Sequence, residues 1–204
     1  MRLRPGAIVL TVLLMANFIA VGQDTVQEPS TGKSFPVSVT FSSGGKDFTL
    51  SLTGVAVRKK LVFKVYGMGH YMQDPPHGNG DSVFNEILTD GKAKQITMVF
   101  VRDVDAATVQ KAYQDGFEEN STKEELAAIQ PYIEKFLTSF TGGVKENDTF
   151  LLRWLPGGRV NLVVQGQEKP AVTNPTFARV LWKFWLGKDS VVDRDDLVAR
   201  LGGE

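Results

Sequence analysis

Residues 54–72 read GVAVRKKLVFKVYGMGHYM. This stretch decides the fold. Its β-branched and aromatic content, with little helix-forming run, reads as strand over 55–58 and again over 61–72. Arg58 is read at a strand start, between the two runs, with Tyr66 inside the second and Tyr71 near its end. Gly67 and Gly69 leave space beside the strand, since a strand glycine marks a bulge or a close approach. That arrangement can place a fixed cation and a phenol hydroxyl in a sheet-lined cleft.

Working outward, the segments on either side are also strands. Phe35 to Phe41 alternates apolar and polar residues, Ser42-Ser43-Gly44-Gly45-Lys46 is a turn, and Phe48 to Leu52 alternates again, so the two form a hairpin. Residues 23–33 are polar and read as a flexible start. On the C-terminal side, 95–102 is a strand with Ile96, Met98 and Phe100 on one face. Residues 149–155 and 159–165 flank Pro156-Gly157-Gly158 and read as another hairpin.

Helices fall between and after these groups. Asp81 caps a short one carrying Val83, Phe84, Ile87 and Leu88, which Gly91 ends. Asp105 caps a second, with Val109, Ala112, Tyr113, Gly116 and Phe117 on one stripe. Thr122 and Glu125 offer a capping box to a third, in which Pro131 predicts a kink or a restart. Asn174-Pro175 opens a fourth, with Phe177, Val180, Leu181, Phe184 and Trp185 as its apolar face. A last short helix is expected over 193–201. Strands come in consecutive groups joined by hairpins, without a βαβ rhythm. This argues for an α+β fold, a large antiparallel sheet covered by a layer of helices.

Composition narrows the function. The chain has 204 residues, 23 basic and 23 acidic, so no charge excess points to nucleic acid. There is no cysteine, which excludes disulfides, thiolate metal sites and a cysteine nucleophile. Two histidines, His70 and His77, are too few for a histidine-rich metal site. Neither metal nor organic cofactor is expected. At the N-terminus, Arg2 and Arg4 precede an apolar run from Ala7 to Val21, and Ala20-Val21-Gly22 supplies small residues. Residues 1–22 therefore read as a secretory signal peptide, cleaved after Gly22. The run is short for a membrane span of about 20 residues. Residues 23–204 are expected to form a single domain with no membrane span, exported to the periplasm.

Candidate site residues are few. Arg58 can hold a carboxylate in bidentate fashion. The plainer reading is a solvated strand-end arginine beside Lys59 and Lys60. Tyr66 shares a strand face with Lys64, Met68 and His70 and can donate to an anionic ligand. The plainer reading is a core ring whose hydroxyl reaches water. Tyr71 falls on the opposite face, as core. His70 has the side chain of a general base but no partner carboxylate at a telling spacing, and reads as a plain strand histidine. Asp103 and Asp105 are explained by helix capping, and Trp154, Trp182 and Trp185 by core filling.

From Gly54 onward the chain resembles the chalcone isomerase-like family, in its bacterial exported branch. The resemblance lies in Gly54-x-x-x-Arg58-Lys59-Lys60, Phe63-Lys64-Val65-Tyr66-x-x-Gly69-x-Tyr71, Phe100-Val101-Arg102-Asp103-Val104, Gly116-Phe117, Leu155-Pro156-Gly157 and Trp185-Leu186-Gly187. These pieces run in the family's order over roughly residues 35–202. The resemblance implies an open-faced β-sandwich. It also implies either a true isomerase, in which a strand arginine holds the substrate during intramolecular ring closure, or a non-catalytic relative that binds fatty acids. Arg58 matches the family arginine. The family's threonine position falls at Tyr66, its helix tyrosine and asparagine near Val109 and Gly116, and a C-terminal polar position near Phe184. With those polar groups replaced, the resemblance implies a cleft for a small hydrophobic carboxylate such as a fatty acid, bound by Arg58, Tyr66, Met68, Val109 and Phe184. If the protein is instead an isomerase, an intramolecular lyase acting on a chalcone-like substrate, Arg58 and Tyr66 are its catalytic residues. A structural or partner-binding envelope protein with a filled core is the third possibility.

Overall fold

The structure is a computed structural model that describes residues 24–202. The expected signal peptide and its cleavage site lie outside the described residues.

The chain begins with a small hairpin, β1 (Thr25–Gln27) and β2 (Ser34–Pro36). This overturns the reading of 23–33 as a flexible start. The Glu28 carboxylate is the reason, because it accepts from the backbone N–H of Ser30 at 2.9 Å and of Thr31 at 2.7 Å, closing the turn. The main sheet then runs as a meander through β3 (Ser38–Ser43), β4 (Lys46–Lys60), β5 (Phe63–Met72), β6 (Lys94–Phe100), β7 (Thr149–Leu155) and β8 (Arg159–Val164). It ends in two short strands, β9 (Gln167–Glu168) and β10 (Val172–Thr173), which both pair with β8. Every pairing is antiparallel.

The stretch around residue 60 differs from the sequence reading. β4 is one 15-residue strand, and the chain reverses at Leu61-Val62. Arg58 therefore lies near the end of β4, not at a strand start.

Helix α1 (Asp81–Ile87) follows β5, and α2 (Ala106–Asn120) and α3 (Lys123–Leu137) join β6 to β7. Helix α4 (Pro175–Leu186) follows the sheet. The cap of α1 is Gly80 rather than Asp81, and its C-cap is Leu88, before Gly91. Asp105, the Thr122–Glu125 capping box and Asn174 cap the other three as expected. Helix α3 runs through Pro131 without a restart. An interior proline costs about 3 kcal/mol, and the capping box with buried Ile129, Ile133 and Phe136 outweighs it. Ala112, expected on the apolar stripe of α2, is exposed. The last expected helix shrinks to one 3-10 turn, Asp196–Val198.

Two cores lie on the two faces of the sheet. The larger holds Ala56, Met68, Ile96, Met98, Phe100, Leu152 and Trp154 from the strands against Phe117, Ile133, Phe177 and Leu181 from the helices. The smaller holds Phe35, Leu50, Leu52, Tyr71, Ala93 and Leu155. Here the sequence reading of the strand glycines needs correcting. A Cβ on Gly67 would lie 2.5 Å from the Thr31 hydroxyl, and one on Gly69 would lie 3.0 Å from the Phe35 ring. The missing side chains make room for the N-terminal hairpin, on the face away from Arg58. They open no ligand cleft.

Candidate functional site

Arg58 and Tyr66 are directly paired across β4 and β5, and Tyr66 is paired with Phe100 across β5 and β6. Residues opposite one another in a ladder share a face. Their neighbours two places along, Ala56 and Met68, are also paired and belong to the larger core. Arg58 and Tyr66 thus point to the helical side of the sheet, where both are half-buried.

Two groups from the C-terminal part of the chain meet them. The Nη1 of Arg58 donates to the Val191 carbonyl at 2.8 Å. The Nε1 of Trp185, on α4, donates to the Tyr66 hydroxyl at 2.9 Å. Burial pushes the Tyr66 hydroxyl pKa up, while the Trp185 N–H and the Arg58 charge pull it partly back. Tyr66 is therefore a neutral phenol near pH 7, with its own proton still to donate. Among the described residues neither that proton nor the remaining guanidinium N–H groups of Arg58 have an acceptor.

A third hydroxyl reaches the same place. Tyr113 of α2 stacks on Phe140 at 4.8 Å and meets the Trp185 ring at 6.5 Å. Burial, and then the nearby Tyr66 hydroxyl, raise its pKa well above the ordinary value. Its hydroxyl makes no hydrogen bond among the described residues. The sequence placed Tyr113 on the helical stripe and gave it no role in the site. Its spacing one turn beyond Val109 was the only signal available.

The other expected residues lie in the same layer. Met68, Val109 and Phe184 are all buried in the larger core. Gly116 is where the Phe184 ring enters, since a Cβ there would stand 2.5 Å from that ring. Tyr113, Phe184 and Trp185 pack against one another, while Phe100 packs against the Tyr66 ring and Trp185 bonds to its hydroxyl. The apolar cleft expected beside Arg58 is thus occupied by rings. Two clefts open on the described surface without Arg58 or Tyr66 in their lining. One, of about 610 Å³, is lined by Glu28, Val55, Val57, Lys59, Val192 and Arg200. The other, of about 460 Å³, lies beside Phe84, Leu88, Ser121, Lys183 and Lys188.

The remaining polar residues hold the fold. The Trp182 indole can only donate, and its Nε1 lies 3.3 Å from His70 Nε2, so His70 carries its proton on Nδ1. That proton goes to the Thr53 hydroxyl at 2.7 Å, which donates to the Leu197 carbonyl at 2.7 Å. Burial and the charge of Lys94 pull the His70 pKa down to about 3. It is a neutral cross-link between β4, β5, α4 and the C-terminal turn, as a plain strand histidine would be. Asp105 caps α2, whereas Asp103 pairs with Lys145 at 2.8 Å and caps nothing. Among the described residues no cluster of His, Asp and Glu could hold a metal, and no helix is long and apolar enough to cross a membrane.

The model of the chalcone isomerase-like family matches residues 30–201. The crystal structure of an Arabidopsis thaliana fatty-acid binding protein superposes with a TM-score of 0.72. The two chains are 21% identical, over 86% of this chain and 96% of that one. No curated protein matches the sequence.

Proposed function

The chain belongs to the chalcone isomerase-like family, and from that premise we propose that it binds a small hydrophobic carboxylate, a fatty acid, between sheet and helices. One observation supports this most. The guanidinium N–H groups of Arg58 that Val191 does not take, and the hydroxyls of Tyr66 and Tyr113, lie near one another without acceptors among the described residues. A carboxylate offers only acceptors, about four lone-pair sites. Arg58 takes it in charge-assisted, bidentate fashion and Tyr66 adds a neutral donor. The acyl chain lies along Met68, Val109 and Phe184, and each buried CH₂ contributes about 0.8 kcal/mol. The rings of Phe184 and Trp185 move aside to admit it. The superposed plant protein is named for binding fatty acids, which agrees with this reading. Export to the periplasm is part of the proposal and rests on residues 1–22. The test is retention of fatty acid by the purified protein and its loss in Arg58→Ala.

One observation favours a second reading, an intramolecular lyase. Tyr113 restores a helix hydroxyl near Arg58 and Tyr66, one turn from the position where the sequence comparison found only Val109. Arg58 would then stabilise developing negative charge, with Tyr66 as donor. Turnover of a chalcone-type substrate that is lost in both Arg58→Ala and Tyr113→Phe supports this reading. Absence of turnover in the wild-type protein removes it.

A further inference from the structure

Among the described residues the large apolar side chains left exposed are Leu61 at 89%, Val62 at 85% and Phe63 at 55%. All three sit together at the tip of the β4–β5 hairpin. β3 pairs with β4 only as far as Ser51, and β6 pairs with β5 only from Tyr66. The tip therefore extends past both neighbouring strands. Leu61 holds φ at 55°, a left-handed conformation that glycine or asparagine takes more readily. A turn of polar residues is the ordinary solution at such a point. Here the strained turn presents three hydrophobic groups to solvent.

The rim of this tip is basic. Lys59 and Lys60 precede it and Lys64 follows it, all exposed. The Arg102 guanidinium lies over the Phe63 ring, 4.7 Å from its centre. None of these four cations is in an ion pair among the described residues. The nearest acidic group in sequence, Asp103, is engaged by Lys145. Lys64 donates instead to the Ser30 carbonyl, which leaves its charge unopposed.

We infer that this hairpin tip docks on an anionic lipid surface. Leu61, Val62 and Phe63 enter the boundary between headgroups and acyl chains. Lys59, Lys60, Lys64 and Arg102 stay at headgroup level against lipid phosphates. Apolar insertion and basic attraction are the two contributions such binding needs, and a lipid surface supplies a partner for both at once. Charge complementarity favours this occupant over a second copy of the chain, whose own tip carries the same positive charges. The hairpin also carries Arg58 and Tyr66 a few residues from the tip, so docking brings the proposed carboxylate site toward the bilayer.

The test uses the absence of cysteine from the chain. Val62→Cys is labelled with an environment-sensitive fluorophore and mixed with vesicles of phosphatidylcholine and phosphatidylglycerol in equal parts. A control carries the label at Asn79→Cys, in the exposed loop at the other end of β5. The expected result is a blue shift at position 62 alone, absent with pure phosphatidylcholine. Sedimentation of the unlabelled protein with the mixed vesicles should fall at least tenfold in Val62→Asp and weaken with salt. No vesicle binding, binding that Val62→Asp leaves unchanged, or a blue shift without vesicles from self-association would each overturn the inference. No fatty acid is present in this assay, so its failure leaves the Arg58 site untouched.

Discussion

Arg58 and Tyr66 face each other across β4 and β5, and the C-terminal part of the chain holds both. Val191 takes one N–H of Arg58 at 2.8 Å, and Trp185 gives its N–H to Tyr66 at 2.9 Å. A cation at the end of a strand would ordinarily be solvated. Here it is half-buried and drawn toward a phenol whose proton is free to donate. In the proposed reading the pair is a clamp for an anion; in this structure a backbone carbonyl and an indole engage it. Access to it depends on how firmly the segment after α4 is anchored.

That anchor rests on Gly54. A Cβ at this position would stand 2.1 Å from the Asp196 carbonyl and 2.5 Å from the Leu197 carbonyl carbon, both backbone atoms. Gly54→Ala therefore has to displace the turn Asp196–Val198. The expected cost is about 3 kcal/mol, the upper end of overpacking, read from the midpoint of urea unfolding. A near-neutral result would show that the turn is loosely held.

His70 should set the upper part of the acid limb. Its pKa falls from 6.5 when unfolded to about 3 when folded. Between those values the unfolded chain binds the extra proton, so stability drops as pH falls through 6.5. The slope from this one group is at most about 1.4 kcal/mol per pH unit. His70→Gln should be less stable at neutral pH and show a flatter profile from pH 6.5 down to about 5. An unchanged slope would mean that His70 is not held neutral.

Lys94 should act at the alkaline end. Its side chain is fully buried, with Nζ donating to the carbonyls of Thr89 at 2.8 Å and Lys92 at 3.0 Å and lying 4.0 Å from the centre of the Trp154 ring. Burial lowers its pKa from 10.5 to about 8, against the pull of Asp90 and with help from Lys92. Between those values the unfolded chain again binds more protons, so stability rises as pH increases above 8. Ionisation of unfolded tyrosines near pH 10 ends the window, because Tyr66, Tyr71 and Tyr113 all have raised folded values. Chemical unfolding of Lys94→Met should lack this rise. A rise retained in the variant would assign it to another group.

Tyr71→Phe should stabilise the protein. The ring is buried in the smaller core, and its hydroxyl has no hydrogen-bond partner among the described residues. A buried polar group without a partner costs roughly 1–3 kcal/mol, and the phenylalanine ring fits the same space. A gain of about 1 kcal/mol in thermal or urea unfolding is expected. A loss would place an ordered water on that hydroxyl.

Local patterns made most of the fold legible. The β-prone runs 149–155 and 159–165 and the turn at Pro156-Gly157-Gly158 are short-range signals, and the β7–β8 hairpin forms where they place it. The same holds for the caps at Asp105, Thr122 and Asn174, each visible within four residues. The turn at Leu61-Val62 was not legible, because no glycine, proline or asparagine marks it. Gly67 and Gly69 announced a close approach, but what approaches is Thr31 and Phe35, more than thirty residues earlier in the chain. Tyr113 could be placed on the inner face of α2 by its spacing. That its hydroxyl arrives beside Tyr66 depends on how α2 docks, which no helical periodicity records. The buried state of Lys94 was hidden for a similar reason, since a strand-end lysine ordinarily reaches water.

The most direct test of the carboxylate clamp is native mass spectrometry with lipid extraction, on the wild-type protein and on Arg58→Ala and Tyr66→Phe. The account predicts that the wild-type protein retains a fatty acid, or takes one up when it is added. Arg58→Ala should lose it entirely, and Tyr66→Phe should bind roughly tenfold more weakly, the loss of one hydrogen bond to a charged group. A wild-type protein that carries no ligand and takes up no added fatty acid, or an Arg58→Ala variant that binds as well as wild type, would contradict it.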